Sequence, residues 1–132
     1  MYDDPIGLIR VSLHVLAATI WVGGQFTLAG LVPVLRAAGG DVPKQAARAF
    51  NRIAWPAFWI LVVTGIWNYL AVHSGKPSTW EMIFGIKMLF VVASGVTAWL
   101  HSHAKSRLSM AINGGLTGLT ALITLVLGLA LA

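Results

Sequence analysis

The hydrophobic pattern divides the chain into four long apolar stretches separated by short polar connections. The stretches cover about residues 8–35, 53–72, 82–101 and 114–132. Each is close to the roughly 20 apolar residues that an α-helix needs to cross the hydrocarbon core of a bilayer. The pattern therefore predicts an all-α fold: a bundle of four transmembrane helices in which residues 1–132 form a single integral membrane domain.

Local signals place the ends of these helices. Pro43 follows Asp41 closely and is tolerated in a first helical turn, so the second helix is predicted to begin there, before the membrane. Asn113-Gly114-Gly115 is predicted to break the helical pattern before the last span. The four predicted helices are about 8–35, 43–72, 82–105 and 114–132. Acidic residues precede the first span where a cleaved signal would be basic, so we expect that span to be retained.

The composition agrees with a membrane protein. Of the 132 residues, 58% are hydrophobic and 10% are charged, whereas about a quarter of the residues in a soluble domain are charged. A net charge of +5 would indicate nucleic-acid binding in a soluble protein. Here the basic residues flank membrane spans, so we expect lipids as partners and no nucleic acid. The absence of cysteine excludes disulfides and thiolate metal sites.

The distribution of charge predicts the orientation. Basic residues are concentrated in the first and third connections, and positively charged connections face the cytoplasm. Both termini are therefore predicted to lie on the non-cytoplasmic side. The charges compared are Arg36, Lys44, Arg48, Arg52, Lys105 and Arg107 on one side, and Arg10, Lys76, Asp3, Asp4 and Glu81 on the other.

Two ionisable residues fall inside the predicted spans. At 1.5 Å per residue, His14 lies about 9 Å into the first helix and Lys87 about 8 Å into the third, and both helices enter from the outer side. The two residues are thus predicted to share one level of the bilayer. Ionisable groups at such depth are costly unless they are paired, hydrated or ligating, which makes them functional candidates. The alternatives are a snorkelling lysine and a histidine that bonds to a neighbouring helix.

Helical spacing places further residues beside His14. Ala18, Trp21 and Gln25 follow it at intervals of four, three and four, so all should share one face. Thr19 falls off this face, and its hydroxyl is predicted to bond to its own helix. A histidine, an indole and an amide in one row indicate an inward face that meets something polar or aromatic.

The third and fourth helices carry two other rows. One comprises Lys87, Val91, Ser94, Ala98 and His101. The other comprises Thr117, Thr120, Thr124 and Gly128. The second row lacks any acid or base, so helix packing or a dimer seam is its favoured interpretation.

The four histidines suit imidazole ligation, and haem is a cofactor that helix bundles can hold between facing helices. His73 ends the second helix on the outer side, so by depth it is the best partner for His14. His101 and His103 diverge by about 200° on a helix and should not ligate one ion together. No carboxylate pair, phosphate-binding glycine loop or serine–histidine–acid set is evident, so any chemistry should belong largely to a bound cofactor.

The residues around His14 and Lys87 also carry a resemblance. Residues 13–36, LHVLAATIWVGGQFTLAGLVPVLR, resemble the signature helix of the CopD-like family of small bacterial membrane proteins and of the related HemJ-type protoporphyrinogen oxidases. The shared pattern is H-x6-W-x-G-G followed by a proline and a basic residue. Residues 80–90, WEMIFGIKMLF, are similar to a later helix of these proteins, with the pattern W-x6-K.

The resemblance implies a b-type haem with His14 as an axial ligand and Lys87 in the functional site. It also implies location in a bacterial inner membrane. HemJ-type proteins oxidise protoporphyrinogen, and CopD-like proteins have a role linked to copper. Val34 and Leu35 separate Pro33 from Arg36, where a HemJ-type protein usually has arginine directly after the proline. The resemblance therefore favours haem binding in general over this particular oxidation.

The resulting hypothesis is a membrane protein that binds haem b and transfers electrons to a redox partner or a lipophilic or porphyrin-like substrate. His14 would ligate the iron, with His73 as a candidate second ligand. Trp21, Gln25 and Trp67 would line the pocket, and Lys87 would contact a propionate or act on the substrate. The small interior favours a homodimer. The alternatives are a copper transport or resistance component using His14 or Met88, and a non-catalytic assembly subunit.

Overall fold

The computed structural model describes residues 4–132, and 88% of the chain is helical, with no strand among these residues. Four helices account for this content: α1 (Pro5–Ala37), α2 (Val42–Val72), α3 (Ser78–Ser102) and α4 (Arg107–Leu131). Each is long and apolar enough to cross a membrane. The predictions of an all-α fold and of four helices with the length and apolar character of membrane spans are confirmed.

Helix α1 begins at Pro5, earlier than the predicted residue 8, because Asp4 caps it. The two carboxylate oxygens of Asp4 accept hydrogen bonds from the backbone N–H groups of Ile6 and Gly7, at 3.0 and 2.9 Å. Such a cap satisfies donors that the first helical turn leaves without partners. The earlier start places Arg10 well inside the helix rather than at its edge.

Helix α4 also begins earlier than predicted, at Arg107 instead of residue 114. The Ser106 hydroxyl caps it by accepting from the Ser109 N–H at 3.1 Å. The predicted break at Asn113-Gly114-Gly115 is wrong, because α4 continues through these residues. A Cβ added at Gly114 would lie only 3.0 Å from the His101 ring, so this glycine gives room for a neighbouring side chain.

Helix α1 contains one π-helical turn, Thr19–Gly23. A π turn holds more residues than an α turn and often occurs near functional sites. The Thr19 hydroxyl donates to the Leu16 carbonyl at 2.7 Å, which confirms the prediction that Thr19 bonds to its own helix. Trp21, at the centre of this turn, is directed towards α2.

The helices form two compact units, Met1–Ala71 and Val72–Ala132. In the first, α1 and α2 run antiparallel, so that residues early in α1 meet residues late in α2. Gly39 and Gly40, with φ values of 77° and 56°, lie in the connection and adopt a conformation that glycine takes without strain. Three small residues of this unit are buried, and residues of this size allow membrane helices to approach closely: Ala17, Ala54 and Ala57.

The second unit is an antiparallel pair of α3 and α4 with a polar seam. The Thr117 hydroxyl lies 3.0 Å from that of Thr97 on α3, and Ser94 and Thr120 are buried. At the end of the pair away from the α3–α4 connection, the Trp80 indole donates to the Leu131 carbonyl at 3.1 Å. The packing interpretation of the α4 row is thereby confirmed at Thr117. The assembly of all four helices into one bundle and the orientation of the termini stay predictions.

Candidate functional site

A polar contact in the first unit joins His14 on α1 to Thr64 on α2. His14 Nδ1 lies 2.8 Å from Thr64 Oγ1, and the same hydroxyl donates to the Ile60 carbonyl at 2.6 Å. Thr64 is only 4% exposed. A hydroxyl has one proton to donate, and here the carbonyl takes it. With its proton donated to the carbonyl, the hydroxyl accepts from His14 Nδ1–H, and a neutral imidazole in this arrangement carries its lone pair on Nε2.

The residue after Thr64, Gly65, also contacts the imidazole of His14. A Cβ added at Gly65 would lie 3.4 Å from His14 Cε1 and 3.9 Å from Nδ1. The ring therefore lies directly against the backbone of α2, held on one edge by the Thr64 hydroxyl. A glycine beside a threonine thus positions this histidine against α2.

One helical turn nearer the N-terminus, a second polar contact joins the same two helices. Arg10 Nε donates to Asn68 Oδ1 at 2.6 Å, and Arg10 is 9% exposed. No ion pair neutralises this guanidinium among the described residues of its unit: Asp4 caps α1, and Asp41 lies 4.0 Å from Lys44. A buried, unneutralised positive charge in a membrane-spanning helix is a functional candidate.

Sequence reasoning counted Arg10 as a flanking charge and missed both this contact and the Thr64 hydroxyl. A signal was present. Thr64 and Asn68 are four residues apart in an otherwise apolar span, and Arg10 and His14 have the same spacing. Residues four apart lie on one helical face, so two antiparallel helices can pair both sets at once.

Trp21 packs inside an aromatic cluster of the first unit. It is 5% exposed, and its ring centroid lies 4.7 Å from that of Phe58 and 5.5 Å from that of Trp55. The predicted shared face of His14 and Trp21 is confirmed in that both contact α2. The indole fills the space between the helices as part of the protein core, and its predicted contact with a cofactor stays a prediction.

Gln25 and Trp67, also predicted to line a pocket, differ in their surroundings. Gln25 Nε2 is buried and has no hydrogen-bond partner in the part of the chain that the structure describes. Trp67 is 40% exposed. The role of both residues in holding a cofactor stays a prediction.

The buried amide nitrogen of Gln25 yields a stability prediction. We expect Gln25→Met to raise the free energy of unfolding by about 1 kcal/mol, because a buried donor without an acceptor costs about 1–3 kcal/mol. Unfolding in mixed detergent micelles, followed by far-UV circular dichroism, measures the change. Gln45→Met, at an exposed position, is the control and should have little effect. A less stable Gln25→Met protein would show that the amide has an acceptor.

The second unit holds the other candidate residues. Lys87 Nζ would lie 3.2 Å from a Cβ added at Gly128, so the ammonium group rests against a glycine of α4. Within the described part of its unit, Lys87 makes no hydrogen bond or ion pair. His73 Nδ1 lies 4.0 Å from Glu81 Oε1. The predicted common depth of His14 and Lys87 stays a prediction, as do the roles of Lys87 in catalysis and of His73 as a ligand.

The remaining histidines bond to backbone carbonyls. His101 Nδ1 lies 2.7 Å from the Met110 carbonyl and His103 Nδ1 2.8 Å from the Trp99 carbonyl, so each ring donates to a different group. This agrees with the prediction that the two side chains diverge. Among residues 4–132, no cluster of three histidine, cysteine or acidic side chains could hold a metal ion.

Comparisons with protein-family models, curated proteins and solved structures found no match to this chain. The resemblance to CopD-like and HemJ-type proteins therefore stays a prediction.

Proposed function

We propose that this chain is a membrane protein that binds haem b through His14 and transfers electrons. The observation that carries the proposal is the hydrogen bond from His14 Nδ1–H to Thr64. It favours the imidazole tautomer whose Nε2 lone pair can bind iron. A histidine ligand that donates its other N–H to a neighbouring acceptor is typical of metal sites, because the bond fixes the ring and raises its basicity.

The chemistry of the residues around His14 supports a haem. A porphyrin is large, flat and apolar, and α1 exposes aliphatic side chains on either side of His14, including Leu13 and Val15. A bound haem would supply a one-electron iron couple that the side chains lack. His14 would hold the iron, Thr64 would orient the imidazole, and the cluster around Trp21 would keep this part of the helix pair packed.

Other parts of the proposal concern the setting of the protein. We place it in a bacterial inner membrane with both termini on the non-cytoplasmic side. Support comes from the exposed basic residues at the end of α1 and the start of α2: Arg36, Lys44, Arg48 and Arg52. The substrate would be lipophilic or porphyrin-like, and Lys87 would be its contact in the second unit. A homodimer would enlarge the small interior.

An absorption spectrum tests the proposal. The protein is produced with haem supply, purified in dodecyl maltoside and reduced with dithionite. We expect a b-type spectrum in the wild type and in His101→Ala, and its loss in His14→Ala. His101 is the matched control because its ring bonds to a backbone carbonyl. A folded wild type that stays colourless after hemin addition would contradict the proposal, as would an unchanged spectrum in His14→Ala.

The failing outcomes separate the alternatives. Copper uptake that depends on His14 or Met88, without a Soret band, would identify a copper transport or resistance component. If His14→Ala and Lys87→Ala change only stability, with neither haem nor copper bound, the chain is an assembly subunit.

The role of Thr64 gives a second, graded test. Thr64→Val keeps the shape of the side chain but removes the acceptor for His14 Nδ1–H. Loss of such a supporting bond lowers metal affinity about 10–100-fold, so we expect weaker hemin binding of this order in a titration. Thr64→Ser keeps the hydroxyl and should bind hemin like the wild type. Equal affinities in all three proteins would show that the hydrogen bond does not support ligation.

A further inference from the structure

Arg10 and His14 lie on one face of α1, four residues apart. This spacing corresponds to a rise of about 6 Å along the helix. Their partners on α2, Asn68 and Thr64, have the same spacing and keep the two polar contacts in register. The first helix pair therefore holds a cation and an imidazole one helical turn apart, each with a partner on the facing helix.

Only one of the hydrogen-bond donors of the Arg10 guanidinium has an acceptor among the described residues. Asn68 accepts from Nε–H, and no other described residue accepts from the N–H groups on Nη1 and Nη2. Arginine stays charged under all ordinary conditions, and the paired N–H groups match a carboxylate in a two-point contact. Both acidic residues described in this unit are engaged elsewhere. No described acidic residue of the unit therefore balances this charge.

We propose that Arg10 binds a propionate carboxylate of the haem whose iron His14 ligates, an inference that rests on the proposed haem function. Each of the two residues would bind a different part of such a ligand. His14 offers a lone pair to the metal, and Arg10 offers a charge and two hydrogen-bond donors to an acidic side arm. Asn68 is a positioning residue that holds Nε and thereby directs the rest of the guanidinium. The ligand class is an iron porphyrin with free carboxylates.

Esterified haem provides a direct test, because hemin dimethyl ester keeps the iron and the ring but lacks the negative charges. Both compounds are titrated into the apoprotein in dodecyl maltoside without phospholipid, so that lipid phosphate cannot occupy Arg10. We expect the wild type to bind hemin at least about tenfold more tightly than the ester, the range of one charged hydrogen bond. Equal wild-type affinities for the two compounds overturn the inference without the need of any variant.

Variants then assign the preference to Arg10. Arg10→Gln keeps a donor for Asn68 but removes the charge, and its preference for hemin should fall close to one. Arg10→Lys keeps the charge, loses the two-point contact and should show an intermediate preference. Arg36→Gln removes the same charge from an exposed position on α1 and should retain the wild-type preference. If Arg10→Gln does not fold, the other two variants test the inference. It is overturned if Arg10→Lys keeps the wild-type preference for hemin over the ester and Arg36→Gln loses that preference.

The two proposals fail in different ways. If neither compound gives a His14-dependent spectrum, the proposed haem function is wrong. If both give one and bind equally well, the haem function holds and the role of Arg10 is wrong. A preference that is the same in the wild type and in Arg10→Gln also contradicts the role of Arg10, and directs attention to another cation.

Discussion

Replacing Asn68 with leucine is expected to destabilise the first helix pair by about 2–3 kcal/mol, the cost of removing a hydrogen bond to a buried charged group. The Asn68 carbonyl accepts from Arg10 Nε at 2.6 Å. Leucine has a similar size but offers no acceptor, so the guanidinium would have to lose its contact or move towards the membrane surface. Detergent-induced unfolding, followed by far-UV circular dichroism, measures the difference.

Two comparisons isolate the cause of this loss. Asn51→Leu makes the same change on the same helix, where the described residues give the amide no side-chain hydrogen bond, and it should cost much less. The double variant Arg10→Met with Asn68→Leu should recover part of the lost stability, because no charge is then left without its partner. Equal losses for Asn68→Leu and Asn51→Leu would contradict the role assigned to the Arg10 contact.

The helices could be predicted because the length of an apolar stretch is visible in the sequence itself and does not depend on contacts with other parts of the chain. Each of the four stretches lies in a helix that is long and apolar enough to cross a membrane. Their ends were less accurate. Asp4-Pro5 is a capping residue followed by a proline suited to the first turn. This pattern predicts that α1 begins before residue 8. Arg10 would then have been recognised inside the helix.

The error at Asn113-Gly114-Gly115 has a different physical cause. Glycine disfavours helices in water, but it is frequent in membrane helices, where small residues allow close packing. Gly114 makes room for His101. The Asn113 side chain donates to the Ser109 carbonyl at 2.9 Å within its own helix. A rule derived from soluble proteins therefore predicted a break where the helix continues.

The contact between His14 and Thr64 could be anticipated only in part. Periodicity within α1 identified His14 and Trp21 as inward residues, and both contact α2. Periodicity within one helix does not specify the register between two helices, because that depends on the length and conformation of the connection and on the packing of small residues. The tautomer of His14 depends on a third group, the Ile60 carbonyl. It is therefore a property of the folded pair.

The polar groups of the first unit differ from those of the second in a way that bears on function. In the second unit, the Thr117 hydroxyl donates to the Asn113 carbonyl of its own helix and contacts Thr97, which itself donates to the Ala93 carbonyl. Such contacts bind the helix pair and carry no charge. In the first unit, the paired groups include a cation and an imidazole. These two groups are held in register by partners on the facing helix and can contact a ligand.

Truncating Trp21 to alanine should have the largest effect on stability of any single change in the first unit. Its indole is 5% exposed and contacts Phe58 and Trp55, so its removal leaves a cavity between the two helices. Loss of a buried tryptophan costs about 3–5 kcal/mol in soluble proteins. In detergent the unfolded state keeps the indole in apolar surroundings, so only the packing contribution is lost. We therefore expect the lower end of this range, about 3 kcal/mol.

Trp59→Ala is the matched control for this prediction. Trp59 lies on α2 of the same unit and is 60% exposed, so its removal should change the free energy of unfolding by less than about 0.5 kcal/mol. Trp21→Phe keeps an aromatic ring against Phe58 and should lose less stability than Trp21→Ala. Far-UV circular dichroism is the measurement of choice, because the variants differ in tryptophan fluorescence. Equal losses in Trp21→Ala and Trp59→Ala would show that the contact with Phe58 and Trp55 does not hold the helix pair together. The position of His14 against α2 would then depend on the polar contacts alone.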